Sequence, residues 1–167
     1  MNIYVIAAIL IVGFLSRVIP HAWDFTPVLA LALFAGANLP GKQKYLVPIA
    51  LMALTDLVLG FYPSFLMTWA GVAAAVAVGS LMRDRVTAVR IAGCSLGAAA
   101  IFFLISNFGV WMTDYPKTWA GLFDCYALAL PFVRNSLLST IIYGYALIGG
   151  YAWMARRAAA KRVTVKI

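Results

Sequence analysis

The sequence of 167 residues contains no glutamate, one histidine, two cysteines and only 11% charged residues, whereas 65% of it is hydrophobic. A soluble domain carries about 25% charged residues, so this composition excludes a water-soluble globular fold. The same hydrophobicity excludes a disordered chain. General acid–base chemistry would depend on the five aspartates and the one histidine. We therefore expect an integral membrane protein that is not an enzyme.

Long apolar runs predict the fold class, an all-α bundle of six transmembrane helices in a single domain over residues 1–167. A β-barrel would instead show alternating segments of about ten residues. The second run is short for a span of about 20 residues, so we expect it to extend, tilt or break. A further apolar stretch at 118–130 ends at Pro131 and predicts a short interfacial or re-entrant helix. The six predicted spans are 3–16, 27–38, 45–60, 65–82, 91–106 and 132–154.

The basic residues predict the orientation. With six spans, the connections after the second, fourth and sixth spans lie on one side and carry ten of the 13 basic residues. Such an excess marks the cytoplasmic side of a membrane protein. Both termini are therefore predicted to be cytoplasmic, residues 156–167 form a basic tail, and the net charge of +8 requires no nucleic acid partner. The ten are Lys42, Lys44, Arg83, Arg85, Arg90, Arg156, Arg157, Lys161, Arg162 and Lys166; Arg17, Lys117 and Arg134 lie on the other side.

Polar residues inside the predicted spans gather near the side opposite the cytoplasm. The third span ends near Phe61, so Asp56 lies five residues, or about 7.5 Å, below its outer end. Asn107 ends the fifth span, and Arg134 and Asn135 begin the last. Ionisable residues in a span are costly and usually face a partner or a wet cavity. Two interpretations stay open: an Asp56–Arg134 ion pair that only stabilises the bundle, or a small-molecule site.

Aromatic residues of the connections on that side favour the binding interpretation. Trp23, Trp111 and Tyr115 lie there, together with the one histidine, His21. An apolar and aromatic wall with a few convergent polar groups is typical of a small-molecule site. The predicted binding residues are Asp56, Asn107, Trp111, Arg134, Asn135, Trp23, His21 and Tyr115, and neither a metal nor a cofactor is expected.

Small residues predict where helices approach closely, because association in lipid depends on short side chains at the contact. The fourth span carries Gly71, Ala75 and Gly79 at four-residue spacing, and the second carries Ala32 and Gly36. We expect these faces to pack against neighbouring helices.

Several segments of the sequence resemble a family of small bacterial integral membrane proteins described only as candidate transport proteins. That family is similar to the substrate-binding S components of energy-coupling-factor (ECF) transporters, which are six-helix proteins that capture vitamins or related micronutrients from outside the cell. The resemblance implies a multi-pass protein of the bacterial inner membrane. The segments are 20–27 (PHAWDFTP), 56–60 (DLVLG), 107–111 (NFGVW), 115–118 (YPKT), 121–122 (GL), 125–126 (CY) and 129–132 (ALPF).

The expected function is therefore that of a transport component that captures a small, vitamin-like organic substrate; the alternative is a structural or assembly subunit without a ligand. The chain has no Gly-x-x-x-x-Gly-Lys-Ser/Thr loop, so energy from ATP would come from ECF-type transmembrane and ATPase subunits. Many S components dock through Ala-x-x-x-Ala on the first helix, whereas this helix offers only Ala7, Ala8 and Gly13. The nickel and cobalt S components begin Met-His, and this chain begins Met1-Asn2.

Overall fold

The structure is a computed structural model that describes residues 3–20 and 25–164, with the backbone alone at 3, 159 and 161–164. Within these residues the chain is all-α, as predicted, and contains no strand. A π-helical turn, Tyr145–Gly149, joins the last two helices into one continuous rod. The helices are α1 (Ile3–Val18), α2 (Val28–Asn38), α3 (Gln43–Leu59), α4 (Phe65–Ser80), α5 (Ala88–Asp114), α6 (Trp119–Gly144) and α7 (Gly150–Thr164).

Two helices in the described part of the chain are long and apolar enough to cross a membrane. They are Ala88–Asp114 and the forty-residue stretch Trp119–Ala158. Shorter apolar helices cover Tyr4–Val18, Val28–Asn38 and Phe65–Ser80.

The predicted separate helix at 118–130 is wrong, because this segment is the first half of α6 and Pro131 lies inside the helix. A proline in a helix removes one backbone hydrogen bond. Packing on α5 holds α6 on both sides of this gap. Before Pro131, the Tyr126 hydroxyl donates to the Leu104 carbonyl oxygen at 2.6 Å. After it, the Ser95 hydroxyl donates to the Thr140 carbonyl oxygen at 3.4 Å.

Helix α5 also continues beyond the predicted end at Ser106. The polar residues that follow do not break it, because their side chains bond to carbonyls one turn earlier. The Asn107 amide donates to the Phe103 carbonyl oxygen at 2.8 Å, and the Thr113 hydroxyl donates to the Gly109 carbonyl oxygen at 3.2 Å. Asn107 therefore lies well inside the helix instead of at its end.

The helices alternate in direction up to α6, and α7 continues in the direction of α6. On α4 and α5, Met67 faces Gly109 while Val78 faces Gly97, which requires an antiparallel pair. We call the end that holds the α2–α3 and α4–α5 connections and α7 the basic end. The opposite end, which holds the α1–α2, α3–α4 and α5–α6 connections, is the cavity end.

Helix α2 lies at the centre of the bundle. Its residues Val28 to Ala37 are all buried, and it contacts α1, α3, α4, α5 and α6. It has eleven residues and is therefore about 16 Å long. The segment neither extends beyond its predicted end nor breaks within the described residues; α2 is a short helix surrounded by longer ones.

The small residues of α2 and α4 lie at the contact between these helices, as predicted. A Cβ atom added at Gly36 would overlap the carbonyl oxygen of Val76, and one added at Gly79 would overlap the carbonyl oxygen of Leu33. Backbone therefore lies directly against backbone at this crossing, which only glycine permits.

Candidate functional site

A cavity of about 440 Å³ lies at the cavity-end half of the bundle. Val28 and Leu29, the first residues of α2, form part of its wall, so the cavity occupies the space that the short central helix leaves unfilled. Its volume falls within the range of about 300–1,000 Å³ typical of small-molecule sites. The polar lining residues are Arg17, Thr26, Tyr62, Thr68, Ser106, Asn107, Ser136, Ser139 and Thr140, and the aromatic ones are Tyr62, Phe102, Phe103 and Phe132.

A buried ion pair lies beside this cavity. Arg17 Nη2 lies 2.9 Å from Asp56 Oδ1, and the two side chains are 16% and 1% exposed. The Trp69 indole donates to Asp56 Oδ2 at 2.7 Å. Arg17 Nη1 also contacts Thr55 Oγ1 and Met52 Sδ, both on α3. The pair therefore joins α1, α3 and α4 into one network, and its arginine reaches the cavity wall.

The predicted burial of Asp56 is confirmed. The Asp56–Arg134 ion pair, which was one of the two open interpretations, is wrong. Arg134 is exposed on α6 and does not line the cavity. The partner is Arg17, because α1 continues to Val18 and packs against α3. This places Arg17 beside Thr55 and Asp56 instead of in a connection.

Asn107 is the predicted binding residue that lines the cavity itself. Its amide nitrogen donates a hydrogen bond to the Phe103 carbonyl oxygen, so the carboxamide is held in one orientation. Across the cavity, burial raises the pKa of the Tyr62 phenol above its ordinary value of 10.0; the charge of Asp56 adds to this, whereas the hydrogen bond with Thr68 opposes it. Tyr62 therefore remains a neutral hydroxyl at physiological pH.

Trp111 and Tyr115 shape the tip of the α5–α6 hairpin and do not line the cavity. The Trp111 indole donates to the Pro116 carbonyl oxygen at 3.0 Å. The Lys117 ammonium donates to the carbonyl oxygens of Trp111 and Tyr115 at 2.9 Å and 2.7 Å. Thr118 then begins α6 by accepting a hydrogen bond from the Gly121 amide. These residues fix a tight connection between the two long helices.

The remaining predicted site residues do not join the cavity in the part of the chain that the structure describes. Asn135 is partly buried on α6 and is not among the lining residues. His21 and Trp23 lie outside the described residues. Of the four residues expected to meet at one level, Asn107 alone lines the cavity, and Asp56 is linked to the cavity wall through Arg17.

Sequence reasoning missed the hydroxyl groups of the cavity. Ser136, Ser139 and Thr140 lie at helical spacing on one face of α6, and Ser106 precedes Asn107 on α5. The signal was available: small polar residues recurred at three- or four-residue spacing within otherwise apolar segments, which marks one face of a helix.

No group of three or more His, Cys, Asp or Glu suited to a metal ion occurs in residues 3–20 and 25–164.

The comparisons with known proteins give a family for the chain. Residues 1–162 match a family described as "Family of unknown function (DUF6580)". Neither the comparison with curated proteins nor that with solved structures gives a match. Because the match covers nearly the whole sequence, this chain belongs to the DUF6580 family.

Proposed function

We propose that this protein is a multi-pass component of the bacterial inner membrane that captures a small organic, vitamin-like molecule from the extracytoplasmic side, in the manner of an ECF S component. The observation that carries the proposal is the cavity of about 440 Å³ at the end of the bundle away from the basic residues. By the positive-inside rule the basic end faces the cytoplasm, so the cavity faces outwards.

The placement of α2 supports a binding role. A helix of about 16 Å is too short for a hydrocarbon core of about 30 Å, whereas α5, with 27 residues, reaches about 40 Å. Interrupted or shortened central helices that leave a polar cavity near mid-membrane are typical of transporter binding sites. Here the walls are supplied by the longer helices around α2, and their hydroxyl and amide groups offer hydrogen bonds to a ligand.

The lining chemistry favours a ligand with an apolar or aromatic body and several hydrogen-bonding groups. Phe102, Phe103 and Phe132 supply apolar walls, and hydroxyl groups on α4, α5 and α6 face the same space. Energy coupling would come from separate transmembrane and ATPase subunits. Ala7 and Ala8 are exposed on α1, so the small residues of that helix are accessible to such a partner, whereas Gly13 is buried against Leu51 and Leu31.

The test compares two residues that the sequence placed in one site and the structure separates. Asn107→Leu removes an amide from the cavity wall, whereas Arg134→Leu changes an exposed side chain that does not line it. We expect Asn107→Leu to weaken binding at least tenfold, since a ligand group facing that wall loses its hydrogen-bond partner. Arg134→Leu should bind as the wild type does. Compounds that co-purify with the protein are identified by mass spectrometry and then titrated against each variant.

Two outcomes would contradict the proposal. Equal affinity in both variants would mean that the compound binds elsewhere. No retained compound, together with stable co-purification of another protein, would favour the alternative of a structural or assembly subunit, in which the Arg17–Asp56 pair only anchors the helices. Growth of a vitamin auxotroph on limiting vitamins, with and without this protein, then tests transport directly.

A further inference from the structure

The arginines of the basic end converge on the α4–α5 connection. Arg90 Nη1 donates to the carbonyl oxygens of Leu81 and Arg85 at 3.4 Å and 3.3 Å. From the far end of the chain, Arg156 Nη2 on α7 donates to the Val86 carbonyl oxygen at 3.2 Å. Arg156 and Val86 are 70 positions apart in sequence and are thus in contact at this short loop, which also contains Arg85.

No ion pair neutralises this cluster among the described residues, and its basic residues outnumber its acidic ones. Arg17–Asp56, at the other end of the bundle, is the one ion pair found in residues 3–20 and 25–164. Asp84 is the single acidic residue of the α4–α5 connection, and no described arginine pairs with it. Each guanidinium of the cluster has five N–H donors and uses one or two of them, at most, on carbonyl oxygens. The others remain available to an anion.

Exposed apolar side chains lie beside the cluster. Val89 is 82% exposed and Leu81 is 69% exposed, on either side of the connection. On α7, Trp153 and Met154 are also exposed, and the Arg157 guanidinium lies 4.0 Å over the Trp153 ring. Such a cation–π contact holds the charge next to an aromatic face. The surface therefore combines an arginine cluster with an adjoining apolar strip.

We propose that this surface, formed by the α4–α5 connection and the start of α7, is a binding site for an anionic phospholipid. The phosphodiester group binds the guanidinium groups of Arg85, Arg90 and Arg156, for which phosphate oxygens are well-matched acceptors. The acyl chains lie along Leu81, Val89 and Trp153. The bound lipid fastens α7 to the α4–α5 connection and balances the positive charge that Asp84 alone does not offset.

A lipid site at particular arginines differs from the general preference of basic loops for the cytoplasmic side, because it is confined to one surface of the protein. An orientation signal needs only the number of basic residues, whereas a lipid site needs particular arginines and depends on the headgroup charge. The proposal shares with the proposed function its membrane location and nothing else, since the cavity lies at the opposite end of the bundle.

The experiment is native mass spectrometry of the full-length protein in detergent, titrated with palmitoyl-oleoyl-phosphatidylglycerol or with the zwitterionic phosphatidylcholine of the same acyl chains. We expect the wild type to bind the anionic lipid more tightly. The double variant Arg85→Gln/Arg156→Gln should bind it about 25-fold more weakly, at about fivefold for each basic residue removed. The matched control is Arg134→Gln, which removes the same charge from an exposed position on α6 far from the cluster.

Equal binding of the two lipids by the wild type would overturn the proposal, and it is the result expected if the arginines serve an acidic protein partner instead. A loss in the double variant no larger than in Arg134→Gln would also overturn it. Both substituted residues are exposed, so the variant is expected to fold, and its thermal unfolding is compared with that of the control. Retention of the cavity compound by the double variant keeps this test separate from that of the proposed function.

Discussion

Asp56→Asn is expected to lower the free energy of unfolding by about 3–5 kcal/mol, the usual cost of breaking a buried ion pair by removing one partner. The substitution preserves the shape of the side chain and an oxygen that can accept from the Trp69 indole, whose nitrogen lies 2.7 Å from Asp56 Oδ2. It removes the charge that faces Arg17 at 2.9 Å. An arginine side chain that is only 16% exposed is then left without its counter-ion. The free energy is measured by titrating SDS into maltoside micelles and following circular dichroism.

Two further variants separate charge from packing. Asp114→Asn removes the same charge from an exposed position at the end of α5 and should change stability by less than about 0.5 kcal/mol. The double variant Arg17→Gln/Asp56→Asn removes both charges and should recover most of the loss, because a neutral pair leaves no buried charge. If Asp56→Asn were as stable as Asp114→Asn, the ion pair would contribute nothing to the fold.

The sequence predicts the helices well because hydropathy reports them directly. The first four segments differ from the observed helices by about two residues at either end. Burial of Asp56 also follows from its position, since a carboxylate in an apolar helix needs a partner. The identity of that partner does not follow, because hydropathy gives the depth of a residue and not the order of helices around the bundle. Arg17 and Arg134 are at similar predicted depths, and only the packing of α1 against α3 selects Arg17.

Pro131 illustrates a second limit. A proline usually ends a helix in a soluble protein, and this rule predicts a boundary at the position where α6 continues. The rule is weaker where helices pack along their length, because tertiary contacts on both sides maintain the direction of the chain. The hydrogen bonds of Tyr126 with Leu104 and of Ser95 with Thr140 join α6 to α5 on either side of Pro131 and supply that support.

The cavity could be located only in part from the sequence. Asn107 was found because an amide is conspicuous at the end of an apolar segment, whereas the hydroxyl residues of α6 were not, since serine and threonine are common in membrane helices as packing residues. What makes them cavity residues is that, within the described part of the chain, they line a space that the central helix does not fill. That space follows from the short length of α2 and its central position, which is a property of the assembled bundle.

Gly79→Ala is expected to destabilise the protein by about 3 kcal/mol, the upper part of the usual range for overpacking. The added methyl group would overlap the Leu33 carbonyl oxygen and lie 2.7 Å from the Leu33 Cα. These are backbone atoms of a buried helix, so a side-chain rotation cannot relieve the overlap, and α2 must move away from α4.

Gly93→Ala is the matched control, because no atom outside the neighbouring turns of α5 lies within 4 Å of a Cβ at that position and the residue is exposed. There alanine should stabilise the helix by about 0.5–1 kcal/mol relative to glycine. The two substitutions are thus expected to have opposite signs in the same SDS titration, and a similar effect of both would mean that α2 and α4 are not in close contact. Because Val28 and Leu29 of α2 belong to the cavity wall, a shift of α2 also changes the cavity. Gly79→Ala should therefore retain less of any bound compound than Gly93→Ala, even at temperatures at which both variants are folded.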